Sequence, residues 1–223
     1  RTIVIGDIHG CYYELKTLLN NLKESGKYNS RTDKLIFLGD YIARGNNSRL
    51  VIKLIRKLQK NNKKVIALMG NHEDMLLNYL DGTDSSWLYN GAEKTIDSYK
   101  NFDSKFVDDI KWIRTLPLYH KDKNFVYVHA GLDLSKPLNK QSKYTLLWVR
   151  EDFIFDTTKY NKRIIYGHTP SISLNGLAKP YTFNNNICID TGCVYNGALT
   201  ALIIDDGEVK EFIQVKNEKN KKN

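Results

Sequence analysis

Five short runs along this chain share one grammar, an apolar stretch followed by a ligand-type side chain beside a glycine. They are Gly6-Asp7-Ile8-His9-Gly10, Gly39-Asp40-Tyr41-Ile42-Ala43-Arg44-Gly45, Gly70-Asn71-His72-Glu73, Val128-His129-Ala130-Gly131 and Gly167-His168-Thr169. Asp-x-His by itself occurs in many folds, so one run carries little weight. Five restrict the chain to a fold that brings several strand ends to one place, because α/β sheets gather their functional groups where strands end.

The intervening sequence supplies those strands. Thr2–Ile5, Lys34–Leu38 and Val65–Met69 are short apolar runs, each followed by a helical pattern, as in βα units. Leu15, Leu18, Leu19 and Leu22 predict an amphipathic helix over Tyr12–Glu24, and Leu50, Ile52, Leu54, Ile55 and Leu58 predict the next. A third opens at His72 and runs to Leu80. From Trp87 to Leu116 the pattern is helical without strands, which predicts a small helical insert over the site. The second half is strand-rich, with Phe125–Val128, Ile164–Tyr166, Ile187–Ile189, Leu199–Ile204 and Val209–Val215 as candidates and Asp205-Asp206-Gly207 as a hairpin turn. Two facing sheets with helices outside, an α/β (α+β) sandwich, is the economical architecture. Residues 1–215 read as one domain, Ser171–Lys179 as a loop, His120 as an exposed loop histidine, and 216–223 as a basic disordered tail.

Of the 223 residues, 41% are hydrophobic and 26% charged, a balance that supports a substantial core. No apolar stretch approaches the roughly 18 residues that span a bilayer, and no basic-then-apolar leader precedes Ile3, so the expected location is cytoplasmic, with no membrane partner. Cys11, Cys188 and Cys193 form an odd set with no zinc-knuckle spacing, so packing is their expected role. The formal charge of +9 raises the local concentration of phosphorylated molecules and permits weak nucleic-acid binding. No aromatic-interleaved motif makes such binding specific, although a nucleic-acid-binding protein is a rival reading.

The chemistry follows from the residue types. Asp7 and His9 are two apart on a strand end, so they project to one face and can hold a cation with oxygen and nitrogen. Asp40 can bridge two cations about 3.5–4 Å apart. Asn71, His129 and His168 supply a neutral oxygen and two imidazoles for the second. Mixed ligation suits manganese, the first choice, or iron, zinc, cobalt or nickel better than an all-oxygen magnesium site. Such a pair lowers the pKa of water and clamps the attacking and leaving oxygens at phosphorus. His72 is placed as general acid, and Arg44 and Arg150 as forked partners of the phosphoryl oxygens.

Taken together, Gly-Asp-x-His-Gly, Gly-Asp-x-x-x-Arg-Gly, Gly-Asn-His-Glu, His-Ala-Gly and Gly-His-Thr resemble the phosphoprotein phosphatase family of calcineurin-like metallophosphoesterases, over Thr2 to about Val215. The resemblance implies a β-sandwich flanked by helices, with Asp7, His9 and Asp40 on one metal and Asp40, Asn71, His129 and His168 on the other. The length and the run Leu147-Trp148-Val149-Arg150-Glu151 look like the compact bacterial and phage-type Ser/Thr protein phosphatases. Ala43 departs from them, since they carry Asp there, where it holds the proton-donating histidine, here His72. The symmetrical diadenosine tetraphosphatases resemble this chain at that point, with Val-Ala-Arg-Gly. Met69 leans the same way, whereas Glu73 leans to the protein phosphatases.

The sequence is therefore read as a dinuclear metal-dependent phosphatase of the Ser/Thr protein type. Its alternative is a symmetrical diadenosine tetraphosphate hydrolase giving ADP. A further alternative is a catalytically weakened phosphate-binding protein or engineered variant, marked by Ala43. The expected partner is a phosphorylated protein or a dinucleoside polyphosphate.

Overall fold

The strand predictions resolve into two five-stranded sheets. In the computed structural model, residues 1–100 and 103–217 are described. The first half runs β1 (Thr2–Ile5), α1 (Tyr12–Glu24), β2 (Lys34–Phe37), α2 (Ser48–Asn61), β3 (Val65–Ala67) and α3 (Asn71–Leu80). A 3-10 turn at Ser86–Tyr89, α4 (Ala92–Tyr99) and α5 (Ser104–Ile113) form the helical insert. The second half contains β4 (Tyr119–Lys121), β5 (Phe125–Val128), α6 (Lys143–Trp148), α7 (Glu151–Ile154), β6 (Arg163–Tyr166), α8 (Ser171–Asn175), β7 (Tyr181–Phe183), β8 (Asn186–Cys188), β9 (Ala198–Asp205) and β10 (Glu208–Lys216).

One sheet has the order β10-β9-β1-β2-β3 and the other β4-β5-β6-β8-β7. β1, β2 and β3 pair in parallel, as do β5, β6 and β8, while β4, β7, β9 and β10 pair antiparallel. Because side chains alternate faces along a strand, Ile3 and Ile5 point to the helices while Val4 points to the opposite sheet. Val4, Ile36 and Leu202 meet Tyr127, Ile165 and Ile187 in the layer between the sheets. Leucines of α1 cover the first sheet from outside, and α6 and α7 cover the second through Leu146, Phe153 and Ile154. At the hairpin, Asp206 and Gly207 have φ of 52° and 75°, the two left-handed positions of a tight primed turn.

Four details differ from the sequence reading. Ser171–Lys179 is not all loop, because α8 occupies its first five residues. His120 is not an exposed loop residue: it lies in β4, half-buried, with its ring stacked on Tyr127 at 5.9 Å, and burial and Lys34 lower its pKa. β4 and β7, three residues each, are edge strands that the pattern did not show. Lys216 ends β10 rather than opening a tail, and residues 218–223 of that tail lie outside the described residues. The three cysteines are buried and unbridged, as packing roles require. Among the described residues no helix is long and apolar enough to cross a membrane.

Candidate functional site

β1, β2, β3, β5, β6 and β8 all deliver their carboxyl ends to one edge of the sandwich, and every residue of the five runs sits there. The loops are tight: His9, Asp40, Ala43, Arg44 and His168 all have φ between 43° and 67°. Non-glycine residues in that region cost of order 1–3 kcal/mol each and persist where the surroundings fix them. Two glycines leave room for the carboxylates, since a side chain at Gly70 would meet that of Asp40 and one at Gly167 would meet that of Asp7.

Two ligand groups result, His9 with Asp40 and His72, and Asp40 with His129 and His168, the donor atoms of each lying within 4.8 Å of one another. Asp40 belongs to both. Its Oδ2 is 3.2 Å from His9 Nε2 and its Oδ1 3.5 Å from His129 Nε2. Asn71 Oδ1 lies 2.9 Å from His129 Nε2 and 3.1 Å from His168 Nδ1. Asp7, expected beside His9 and Asp40, falls in neither group; its Oδ2 accepts the His168 backbone N–H at 2.9 Å, and His72 stands in the first group instead.

The donor set fits divalent cations. His9 Nδ1 faces the Ile42 carbonyl at 2.9 Å and His129 Nδ1 the Leu38 carbonyl at 3.0 Å. A carbonyl only accepts, so both Nδ1 atoms carry the proton and both Nε2 lone pairs point inward, the arrangement of metal-binding imidazoles. Asp7 Oδ1 and His168 Nε2 are buried without a hydrogen-bond partner. Burial, then Asp190 and Asp40, push the Asp7 pKa up, and burial foremost pushes Asp190 to about 6. Burial also opposes charge on Asp40, yet His129, His72 and His9 bring its pKa well below the usual carboxylate range. His129 and His168 are pushed down by burial and therefore held neutral, as ligands must be.

Around this centre stand the other expected residues. One guanidinium nitrogen of Arg44 is 2.9 Å from His9 Nε2, and the group lies 5.5 Å over the Tyr195 ring. Arg150 donates to the Thr169 hydroxyl at 2.9 Å and the His168 carbonyl at 3.3 Å. His72 lies edge-on to His9, its ring centroid 4.7 Å away, and its backbone N–H donates to Asp40 Oδ1 at 3.0 Å. Its Nδ1 is buried and unpartnered, and burial lowers its pKa to about 2. Ala43 is fully buried, its N–H donating to Thr95 Oγ1 at 2.9 Å. The adjoining Arg44 N–H donates to the Gly91 carbonyl at 3.1 Å, so the insert holds this turn from outside.

Sequence reasoning missed four contributors. Glu73, noted only as part of a motif, accepts the N–H groups of Asp40, Tyr41, Ile42 and Gly70, and burial and Asp40 push it up to about 8. Asp190 follows the apolar run Ile187-Cys188-Ile189 and precedes Thr191-Gly192, so the grammar of the other runs would have found it. Thr95 and Tyr195 carried no comparable signal.

The model of one protein family, described as calcineurin-like phosphoesterase, matches residues 1–203. A bis(5'-nucleosyl)-tetraphosphatase PrpE, asymmetrical, from Oceanobacillus iheyensis is 33% identical over 237 residues, covering 95% of this chain and 90% of that protein. Its counterpart from Anoxybacillus flavithermus is 32% identical, with 89% and 88% covered. Among solved structures, a candidate diadenosine tetraphosphatase aligns with TM-score 0.71 at 21% identity, over 96% of this chain and 92% of that one. A Ser/Thr protein phosphatase from Saccharomyces cerevisiae aligns with TM-score 0.64 at 20% identity, over 96% and 78%. At those identities the structures speak for the fold.

Proposed function

The chain belongs to the calcineurin-like phosphoesterase family, hydrolases of phosphoesters, and from that premise we propose that it cleaves dinucleoside tetraphosphates asymmetrically. An asymmetrical cut leaves a nucleoside triphosphate and a nucleoside monophosphate. We assign Asp7, His9 and Asp40 to one divalent cation and Asp40, Asn71, His129 and His168 to the other, with manganese the first metal to test. When bound, the cations supply Lewis acidity and lower the pKa of water.

The chain's own groups supply the rest. Arg44 and Arg150 flank the centre from opposite loops and neutralise phosphoryl oxygens with forked hydrogen bonds. Glu73 ties the backbone after β2 to the start of α3, so Asp40 meets both ligand groups in a fixed position. The Nδ1–H bonds of His9 and His129 hold the tautomer that leaves Nε2 free.

The observation that carries the substrate is the unpartnered His72 Nδ1, with Ala43 at the position where the protein phosphatases carry an acid. No carboxylate accepts from that nitrogen, so the protonated form of His72 is poorly stabilised and scarcely present at neutral pH, and the ring has little proton to give. A serine or threonine alkoxide needs a proton to leave, whereas a phosphate leaving from an anhydride needs little help. The names of the relatives above 30% identity support the same choice, and they support the asymmetrical cut over the symmetrical one. Glu73 and the Leu147–Glu151 run favour the second reading, a Ser/Thr protein phosphatase.

Diadenosine tetraphosphate and a phosphothreonine peptide, each incubated with the manganese-loaded protein, separate these readings by product chromatography. ATP and AMP in equal amounts are expected. Two molecules of ADP would establish the symmetrical cut, and faster peptide dephosphorylation would return the protein phosphatase reading.

A further inference from the structure

Outside the centre, the insert and α2 enclose an open groove of about 810 Å³. Arg49, Lys53, Arg56, Lys57 and Lys60 form one wall, a row along α2 that spans about 16 Å at 1.5 Å per residue. Lys100, just past the end of α4, and Lys105 of α5 face them across the groove. Seven cations thus meet three carboxylates, and two of those carboxylates are already engaged: Asp109 pairs with Arg56 and accepts from the Tyr99 hydroxyl, and Asp108 lies 3.8 Å from Lys111. Among the described residues, Lys53, Lys57, Lys60, Lys100 and Lys105 have no carboxylate within 4.0 Å.

We propose that this groove is a binding site for a linear chain of phosphate groups, specifically inorganic polyphosphate. Like charges three and four apart on a helix destabilise it, and Arg49, Lys53, Arg56, Lys57 and Lys60 repeat that spacing along a whole face. A polyanion laid in the groove turns this repulsion into attraction and releases its own counterions. The choice within polyanions follows from the lining, which contains no aromatic ring and a single apolar residue, Leu50. Proteins that hold single-stranded nucleic acid stack its bases on aromatic side chains, and this groove offers bases no stacking surface. Its row of cations matches phosphate oxygens. The groove begins at Asn46 and Asn47, just past Arg44 and Gly45, yet it shares no residue with the catalytic centre, so the proposal stands independently of the tetraphosphatase reading.

The test compares the full chain with the triple variant Lys53→Gln, Lys57→Gln, Lys60→Gln. Binding of a medium-length polyphosphate is followed by fluorescence anisotropy and by its effect on melting temperature, over a range of salt. An oligothymidylate and a DNA duplex of equal phosphate number are the comparison ligands. Polyphosphate is expected to raise the melting temperature of the natural chain, with affinity falling steeply with salt. In the variant the slope of log affinity against log salt should drop by about two to three, for three lost phosphate contacts. The free variant should melt no lower than the natural chain, since it has shed like-charge pairs, and should hydrolyse p-nitrophenyl phosphate equally, which shows that it is folded. Equal polyphosphate binding by both proteins would overturn the assignment to this groove. Oligothymidylate or duplex binding as tight as that of polyphosphate would overturn the choice of ligand.

Discussion

Ala43 is buried with φ of 67°, a conformation that alanine takes reluctantly and aspartate more readily. The backbone there therefore accepts an acid without further strain, and the resemblance to the protein phosphatases sets that acid against His72, whose Nδ1 has no partner. Ala43→Asp should supply that partner. Turnover on a phosphothreonine peptide should rise roughly ten- to a thousandfold, a part of the roughly hundred- to ten-thousandfold that a positioned general acid supplies, while diadenosine tetraphosphate turnover moves far less. The ratio of the two kcat values is the measurement, and an equal change in both would show that His72 was not short of a partner. The departure at this residue was legible in the sequence because the run around it, Gly39 to Gly45, is contiguous. The unpartnered nitrogen was not, because it depends on what folds around α3.

The loop after β2 is held by two elements from elsewhere in the chain, Glu73 of α3 from below and α4 of the insert from outside. Thr95 is fully buried, and its hydroxyl both accepts the Ala43 N–H and lies 3.2 Å from the Ser48 hydroxyl at the start of α2. Thr95→Val keeps the shape and strands the Ala43 N–H in the interior, which should cost about 1–3 kcal/mol in chemical denaturation. Arg44 follows Ala43 directly, so kcat should fall too, and Thr95→Ser should restore both. Stability loss with unchanged kcat would mean that the insert braces the fold and not the site. No pattern in residues 87 to 116 announced this. Helical periodicity reported that the insert exists, whereas the bond that matters joins residues 52 apart in sequence. The same limit explains β4, β7 and α8, whose three to five residues are too few to show a period and are fixed by neighbours. The long parallel core, by contrast, was legible because β1, β2, β5 and β6 are apolar runs buried on both faces.

At the scale of the molecule, the proposed ligands come from both sheets. Asp7, His9, Asp40 and Asn71 follow strands of the first, and His129 and His168 follow strands of the second. The grammar of strand, ligand and glycine picked out these six positions and divided them between two cations, while the distances among them, and the place of His72 beside His9 and Asp40, waited on the fold. Cations bound here would bind only the folded chain, because the unfolded chain scatters the six residues over 162 positions. At a free concentration of 100 Kd, two such sites would add about 5 kcal/mol, a rise of roughly 10–20 °C in melting temperature for a chain of this size. The sharing of Asp40 makes the prediction specific. His168→Asn removes a ligand from one group only and should leave about half of the manganese-induced rise at the same manganese excess. Asp40→Asn touches both groups and should abolish it. Comparing each variant with and without manganese cancels whatever the substitution does to the apo fold. Equal residual shifts in the two variants would mean that Asp40 does not bridge, and the two-cation assignment would fall with it.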